Sequence, residues 1–175
     1  MNSIFGESAG DLSFEELYRT GYNMVLHKHG EKLYESVEGL LNSRTKDICV
    51  EIKSANEATF LEEVKSKWLA HKRSLKMVRD ILMYMDRTYV KQTPKMPVYD
   101  KGVNLFCRNC IQEPHVKKRL SDLLLELVEK ERKGEKVDRD VIKNSTQMLM
   151  EMGKEVFHEV CRPAFSHPHR TPPHD

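Results

Sequence analysis

Residues 59–92 read TFLEEVKSKWLAHKRSLKMVRDILMYMDRTYVKQ, and their spacing decides the fold. Leu61, Val64, Trp68, His71, Leu75, Val78, Leu82, Met85 and Tyr89 follow one another at alternating intervals of 3 and 4 residues. That is one continuous seam of packing residues along an α-helix. A seam this long needs partner helices to cover it. His71 lies on it and reads as a core or boundary histidine rather than a ligand, because no His or Glu stands one turn away.

Upstream, Ser13 and Glu16 form an S-x-x-E capping box just before an apolar run. The spacing predicts a helix from there through LYRTGYNMVLHKH to about Gly30, and another helix, or its continuation, over 31–43. Segment 44–58 is weaker. Ile48, Val50 and Ile52 alternate as in a strand, but a lone strand has no partner here, so irregular or short helical structure is expected.

Downstream, all 7 prolines lie at or beyond residue 94. Pro94 and Pro97 mark a linker at 93–97, since the proline ring breaks helices. Residues 98–111 place Val103, Phe106 and Cys110 on one helical face. Residues 115–133 carry Val116, Leu120, Leu123, Leu124, Leu127 and Val128, and stop at Gly134. Asp138 caps a last helix holding Val141, Ser145, Met148, Leu149 and Met152, with Gly153 as its stop.

With no paired strand patterns and no glycine-rich phosphate loop, the fold class is all-α, an antiparallel helical bundle or repeat. Its parts are a short extension (1–11), a helical block (12–92), the linker, a second helical block (98–165) and a tail (166–175). The tail, SHPHRTPPHD, has no apolar pattern and is expected to be unstructured. Its three histidines read as solvated rather than as a metal site.

The chain has 175 residues, 39% hydrophobic and 32% charged, which suits one globular domain. A net charge of +2 is too small to argue for nucleic-acid binding. No run approaches the ~20 apolar residues that cross a bilayer. The opening MNSIFGESAGD has no secretory pattern, so a cytoplasmic and nuclear location is expected. Cys107 and Cys110 form a C-x-x-C with no second pair at zinc-ribbon spacing, and read as two buried thiols on a helix. Nothing arranges a nucleophile with a base, and neither catalysis, a cofactor nor a metal is expected.

Some residues do not fit a simple core. Leu17, Met24 and Val25 can face a bundle from the first helix. Leu12, Glu15, Tyr18 and Tyr22 form a second stripe, with Phe14 beside it. On the long helix, Tyr84 and Arg87 lie off the seam on a neighbouring face. Tyrosine and arginine are favoured at protein interfaces, where tyrosine buries a ring and keeps a wet hydroxyl; from composition alone the other reading, that these tyrosines lie flat over their own bundle, stays open.

Three strings carry a resemblance: LSFEELYRTGYNMVLHKHGEKLYE at 12–35, VRDILMYMDRTYV at 78–90 and ERKGEKVDR at 131–139. In order and spacing they are similar to the first repeat of the cullin family, in its branch that binds BTB-domain proteins, over roughly residues 10–165. The resemblance implies a scaffold of modular ubiquitin ligases, serving ubiquitin-dependent protein catabolism. It implies N-terminal five-helix repeats, of which the first grips a BTB-domain substrate adaptor. It assigns the grip to Leu12, Phe14, Glu15, Tyr18 and Tyr22 on one helix and Tyr84 and Arg87 on another.

The family pattern has a further helix before LSFEEL, and here only eleven residues precede Leu12. The expectation is a first repeat lacking most of that helix, with apolar surface uncovered beside 17–26 and lowered stability. The family's later RING-binding and modifier-accepting region has no counterpart in these strings, so no RING subunit is expected. A competitor that sequesters adaptors, or a degenerate helical protein without a live partner, are the alternative readings.

Overall fold

The computed structural model describes residues 13–165. Leu12, the extension at 1–11 and the tail at 166–175 lie outside the described residues. The described chain is all-α, as the spacing predicts: eight α-helices and no strand among the described residues. It divides into two compact units, which meet in sequence between Ile111 and Gln112.

In the first unit, α1 (Phe14–Leu26) opens on the expected cap, with the Glu16 N–H donating to Ser13 Oγ at 3.3 Å. It ends four residues earlier than expected. The N–H groups of Lys28 and His29 return to the carbonyls of Val25 and Met24, closing a Schellman turn. Lys28 occupies the left-handed position that this turn requires, at φ 65°. The stop therefore comes from backbone hydrogen bonding at a residue where glycine would be usual.

Next, α2 (Gly30–Ser54) runs straight through the segment expected to be irregular or only briefly helical. Ile48 and Ile52 are buried while Val50 is 68% exposed. An alternation over three residues fits a strand, but Ile48 and Ile52 are also four apart and share a helical face. The partner helices settle the ambiguity.

The long seam is divided between α3 (Phe60–Ile81) and a one-turn α4 (Met83–Arg87), followed by a 3-10 turn at Val90–Gln92. The expected single helix is thus interrupted at Leu82, which sits at φ −101° and ψ 19°. The hydrogen-bond ladder crosses the break, because the Leu82 N–H reaches the Val78 carbonyl and the Leu82 carbonyl accepts from Asp86. The seam residues from Val64 to Met85 are buried regardless. The break falls where α1 crosses, with Gly21 seated against Ile81 and Leu82.

After the turn, α5 (Val98–Phe106) continues into a π-helical turn at Cys107–Ile111. The Asp86 carboxylate accepts from the Val98 N–H at 3.1 Å and so ties the start of α5 to α4. Tyr34 donates to the Met96 carbonyl at 2.8 Å, anchoring the connection to α2. Gly102 lets α5 approach α3 closely, since a Cβ there would lie 2.1 Å from Leu75 Cδ2. The core joins Leu33, Val37 and Leu41 of α2 to Leu75, Val78 and Ile81 of α3 and Leu105 of α5.

In the second unit, α6 (Pro114–Arg132) and α7 (Arg139–Met152) match the expected spans closely. Gly134 provides the left-handed stop after α6 at φ 78°, and Asp138 caps α7. A further helix, α8 (Lys154–Phe165), follows Gly153, so α7 is not the last helix. Val156 and Val160, four apart, are buried on α8, a pattern too short to stand out in sequence. Lys117 of α6 pairs with Glu159 of α8 at 3.0 Å.

Candidate protein-interaction site

Helix α1 carries its aromatic side chains one turn apart. Phe14 is 53% exposed and stacks on Tyr18, with ring centroids 6.2 Å apart. Tyr18 is half-buried, and Tyr22, 36% exposed, follows one turn further along the same row. Below this row, Leu17, Met24 and Val25 pack against the core.

Tyr84 of α4 comes up beside this row. Its ring lies 4.2 Å from that of Tyr22, at an interplanar angle of 40°. Aromatic pairs in such tilted contact gain about 1 kcal/mol beyond the area they bury. Neither hydroxyl has a hydrogen-bond partner among the described residues, so both remain available. Thr88 donates its hydroxyl to the Tyr84 carbonyl at 2.6 Å, closing the turn that presents the ring.

The charged members flank this ridge. Glu15 accepts from Arg19 at 2.6 Å, and both side chains are largely exposed. Such a pair is weak in water and yields readily to a partner. Arg87 ends α4, exposed, and has no ion pair among the described residues. Its planar donor fork is free. The structure therefore gathers Phe14, Tyr18, Tyr22 and Tyr84 along one ridge, with Glu15 and Arg87 on the same two helices.

Beside Tyr84 opens a pocket of about 440 Å3 that the sequence pattern does not reveal. Val25, Leu26, Lys28, Gly30 and Tyr89 contribute to its lining. Gly30 has to be glycine, because a Cβ there would lie 2.8 Å from the Tyr89 ring. Gly30 in LHKHG is the one legible signal; the left-handed Lys28 is not legible.

None of the four thiols lies on α1 or α4. Cys49, Cys107, Cys110 and Cys161 are buried thiols. Cys110 donates to the Thr45 carbonyl at 3.1 Å. Burial, with Cys49 and Cys107 nearby, pushes the Cys110 thiol far up. Burial raises the Cys161 thiol to about 11. Thiols held protonated in this way are poor nucleophiles. Among the described residues no group of three or more His, Cys, Asp or Glu could hold a metal ion. No helix among them is long and apolar enough to cross a membrane.

Comparison with known proteins agrees with the strings at 12–35, 78–90 and 131–139. The chain is 45% identical to Cullin-3A of Arabidopsis thaliana over 159 residues, covering 91% of this chain and 22% of that protein. It is 46% identical to Cullin-3 of Dictyostelium discoideum over 153 residues, which is 87% of this chain and 20% of that protein. Cullin-3 of Caenorhabditis elegans is 41% identical over 144 residues, 81% of this chain and 18% of its own length. The chain thus spans about a fifth of the relatives it matches. The family description that matches, the cullin alpha solenoid domain, covers residues 1–170. A helical fold and a family match over nearly the whole chain make the conclusion plain: this chain belongs to the cullin family.

Proposed function

We propose that this chain binds BTB-domain substrate adaptors of a cullin-RING ubiquitin ligase, through the ridge formed by α1 and α4. The observation that carries the reading is the Tyr22–Tyr84 pair. Two helices from separate parts of the chain bring two tyrosines into contact at the surface, with both hydroxyls unused. Interfaces draw most of their affinity from such aromatic and arginine anchors. On this reading Phe14, Tyr18, Tyr22 and Tyr84 supply the apolar area. Glu15 and Arg87 set register by charge, and Leu12 joins them by its place in the sequence stripe.

The role is that of a scaffold without chemistry of its own, holding a substrate adaptor for reaction elsewhere; in such assemblies acceleration comes from proximity. The chain spans about a fifth of its relatives, so the proposal concerns the adaptor grip and not the assembly of a whole ligase. A cytoplasmic and nuclear location goes with this role.

The test is titration of the purified chain with a purified BTB domain, followed by calorimetry. Saturable one-to-one binding is expected, and deletion of 166–175 leaves it unchanged. A helical, folded chain that binds no BTB domain from a panel of several would overturn the reading.

A further inference from the structure

Helix α3 has a second surface that the adaptor reading does not use. From Val64 to Arg79 it carries six basic residues and no acidic one: Lys65, Lys67, Lys72, Arg73, Lys76 and Arg79. Four of these are engaged. Lys67 pairs with Glu51 and Glu63, and Lys65 with Glu62. Lys72 lies over the Trp68 ring, and Arg79 pairs with Asp80. Arg73 and Lys76 are exposed and have no partner among the described residues.

These two free cations stand on a defined stripe. At 100° per residue, Leu69, Arg73, Lys76 and Met77 fall on one side of α3, opposite the buried Val64, Trp68, Leu75 and Val78. Leu69 is 42% exposed and Met77 39% exposed. Eight residues of helix separate them by about 12 Å. The stripe is therefore two apolar contacts, one at each end, with two unneutralised cations between and beside them. Arginine and methionine are enriched where proteins meet.

We propose that this face of α3 docks an acidic amphipathic protein helix, with apolar side chains seated on Leu69 and Met77 and carboxylates paired with Arg73 and Lys76. Charge selects the occupant. The carboxylate one turn on from Lys76, Asp80, is paired with Arg79, so Arg73 and Lys76 keep two positive charges that repel a basic segment, and an acidic one neutralises them in a partly dehydrated setting where each pair counts for more. The two apolar contacts distinguish such a helix from a nucleic acid or a merely acidic tail. The proposal is independent of adaptor binding, which uses α1 and α4.

The probe is a fluorescein-labelled peptide of about 18 residues, long enough to be helical. It carries leucines on one face and glutamates flanking them. Saturable binding is expected, weakening as salt rises. Arg73→Glu with Lys76→Glu, and separately Leu69→Ser with Met77→Ser, should each weaken it at least tenfold. Lys136→Glu, a charge control in the exposed α6–α7 loop, should leave it unchanged. All four stripe positions are exposed, so the variants keep their helicity, which circular dichroism checks; the two pairs test the stripe independently. Both pairs should bind a BTB domain as wild type does, which separates this face from the ridge. Equal binding by the variants would overturn the proposal. So would equal binding of a peptide whose leucines are replaced by serine, or tighter binding of single-stranded RNA or anionic vesicles.

Discussion

Tyr22 of α1 and Tyr84 of α4 face each other with ring centroids 4.2 Å apart, and each ring props the other at the surface. Neither helix presents this ridge alone, since α4 is a single turn held in place by the core residues Leu82 and Met85.

The pair should act as a unit. Tyr22→Ala and Tyr84→Ala are each expected to weaken BTB-domain binding by about 2 kcal/mol or more, as central aromatic anchors do. The double variant should lose less than the sum, because either truncation already frees the other ring. Calorimetric titration of the four proteins in the cycle checks this. Strict additivity would show that the two rings act separately.

Gly102→Ala should destabilise the first unit by about 1–3 kcal/mol, as overpacking does. The added methyl would overlap Leu75 Cδ2, and α5 would have to move off α3. Leu75→Val in the same chain should recover part of the loss by clearing the methyl's space. Urea unfolding of the single and double variants measures the recovery.

His71 should make stability fall with acid. Its Nε2 lies 3.0 Å from the Gly102 carbonyl, its Nδ1 is buried without a partner, and its ring stacks on Phe106. Burial lowers its pKa below the ordinary 6.5, the Gly102 carbonyl opposes this, and Arg44 adds to it. Below 6.5 the unfolded chain takes up a proton that the folded chain refuses, so this part of the stability is complete above 6.5 and declines as pH drops. His71→Gln keeps an amide donor for the carbonyl but does not titrate. Between pH 7.5 and about pH 5 it should lose less stability than wild type in urea unfolding.

Lys28 should tolerate glycine better than a branched residue. A non-glycine side chain in the left-handed region costs about 1–2 kcal/mol. Glycine removes that strain but gives the unfolded chain more freedom. The expected net change for Lys28→Gly is therefore a gain of no more than about 1 kcal/mol. Lys28→Val should cost more than about 1 kcal/mol, because β-branching worsens the clash. Thermal unfolding of both variants decides the order.

The helical class was legible from the sequence by itself, because the seam from Val64 to Met85 repeats long enough to exclude a strand. The caps at Ser13 and Asp138 and the stop at Gly134 were legible too. Each depends on hydrogen bonds within a few residues, so local chemistry suffices. The excess tyrosines of α1, and Tyr84 and Arg87 off the seam, could be picked out as residues the core did not need.

Other features belonged to the tertiary structure. Ile48, Val50 and Ile52 fit two periods equally, and only packing on neighbouring helices makes that stretch part of α2. The break at Leu82 falls where Gly21 arrives from another helix, a contact invisible along the chain. The burial of Val156 on α8 depends on packing that no short apolar pair announces. The meeting of Tyr22 with Tyr84, and the pocket floored by Gly30 against Tyr89, rest on distances between residues remote in sequence. Periodicity reports which face of a helix is buried, whereas which helix covers it, and which side chains then meet at the surface, is set by how the helices of each unit pack on one another.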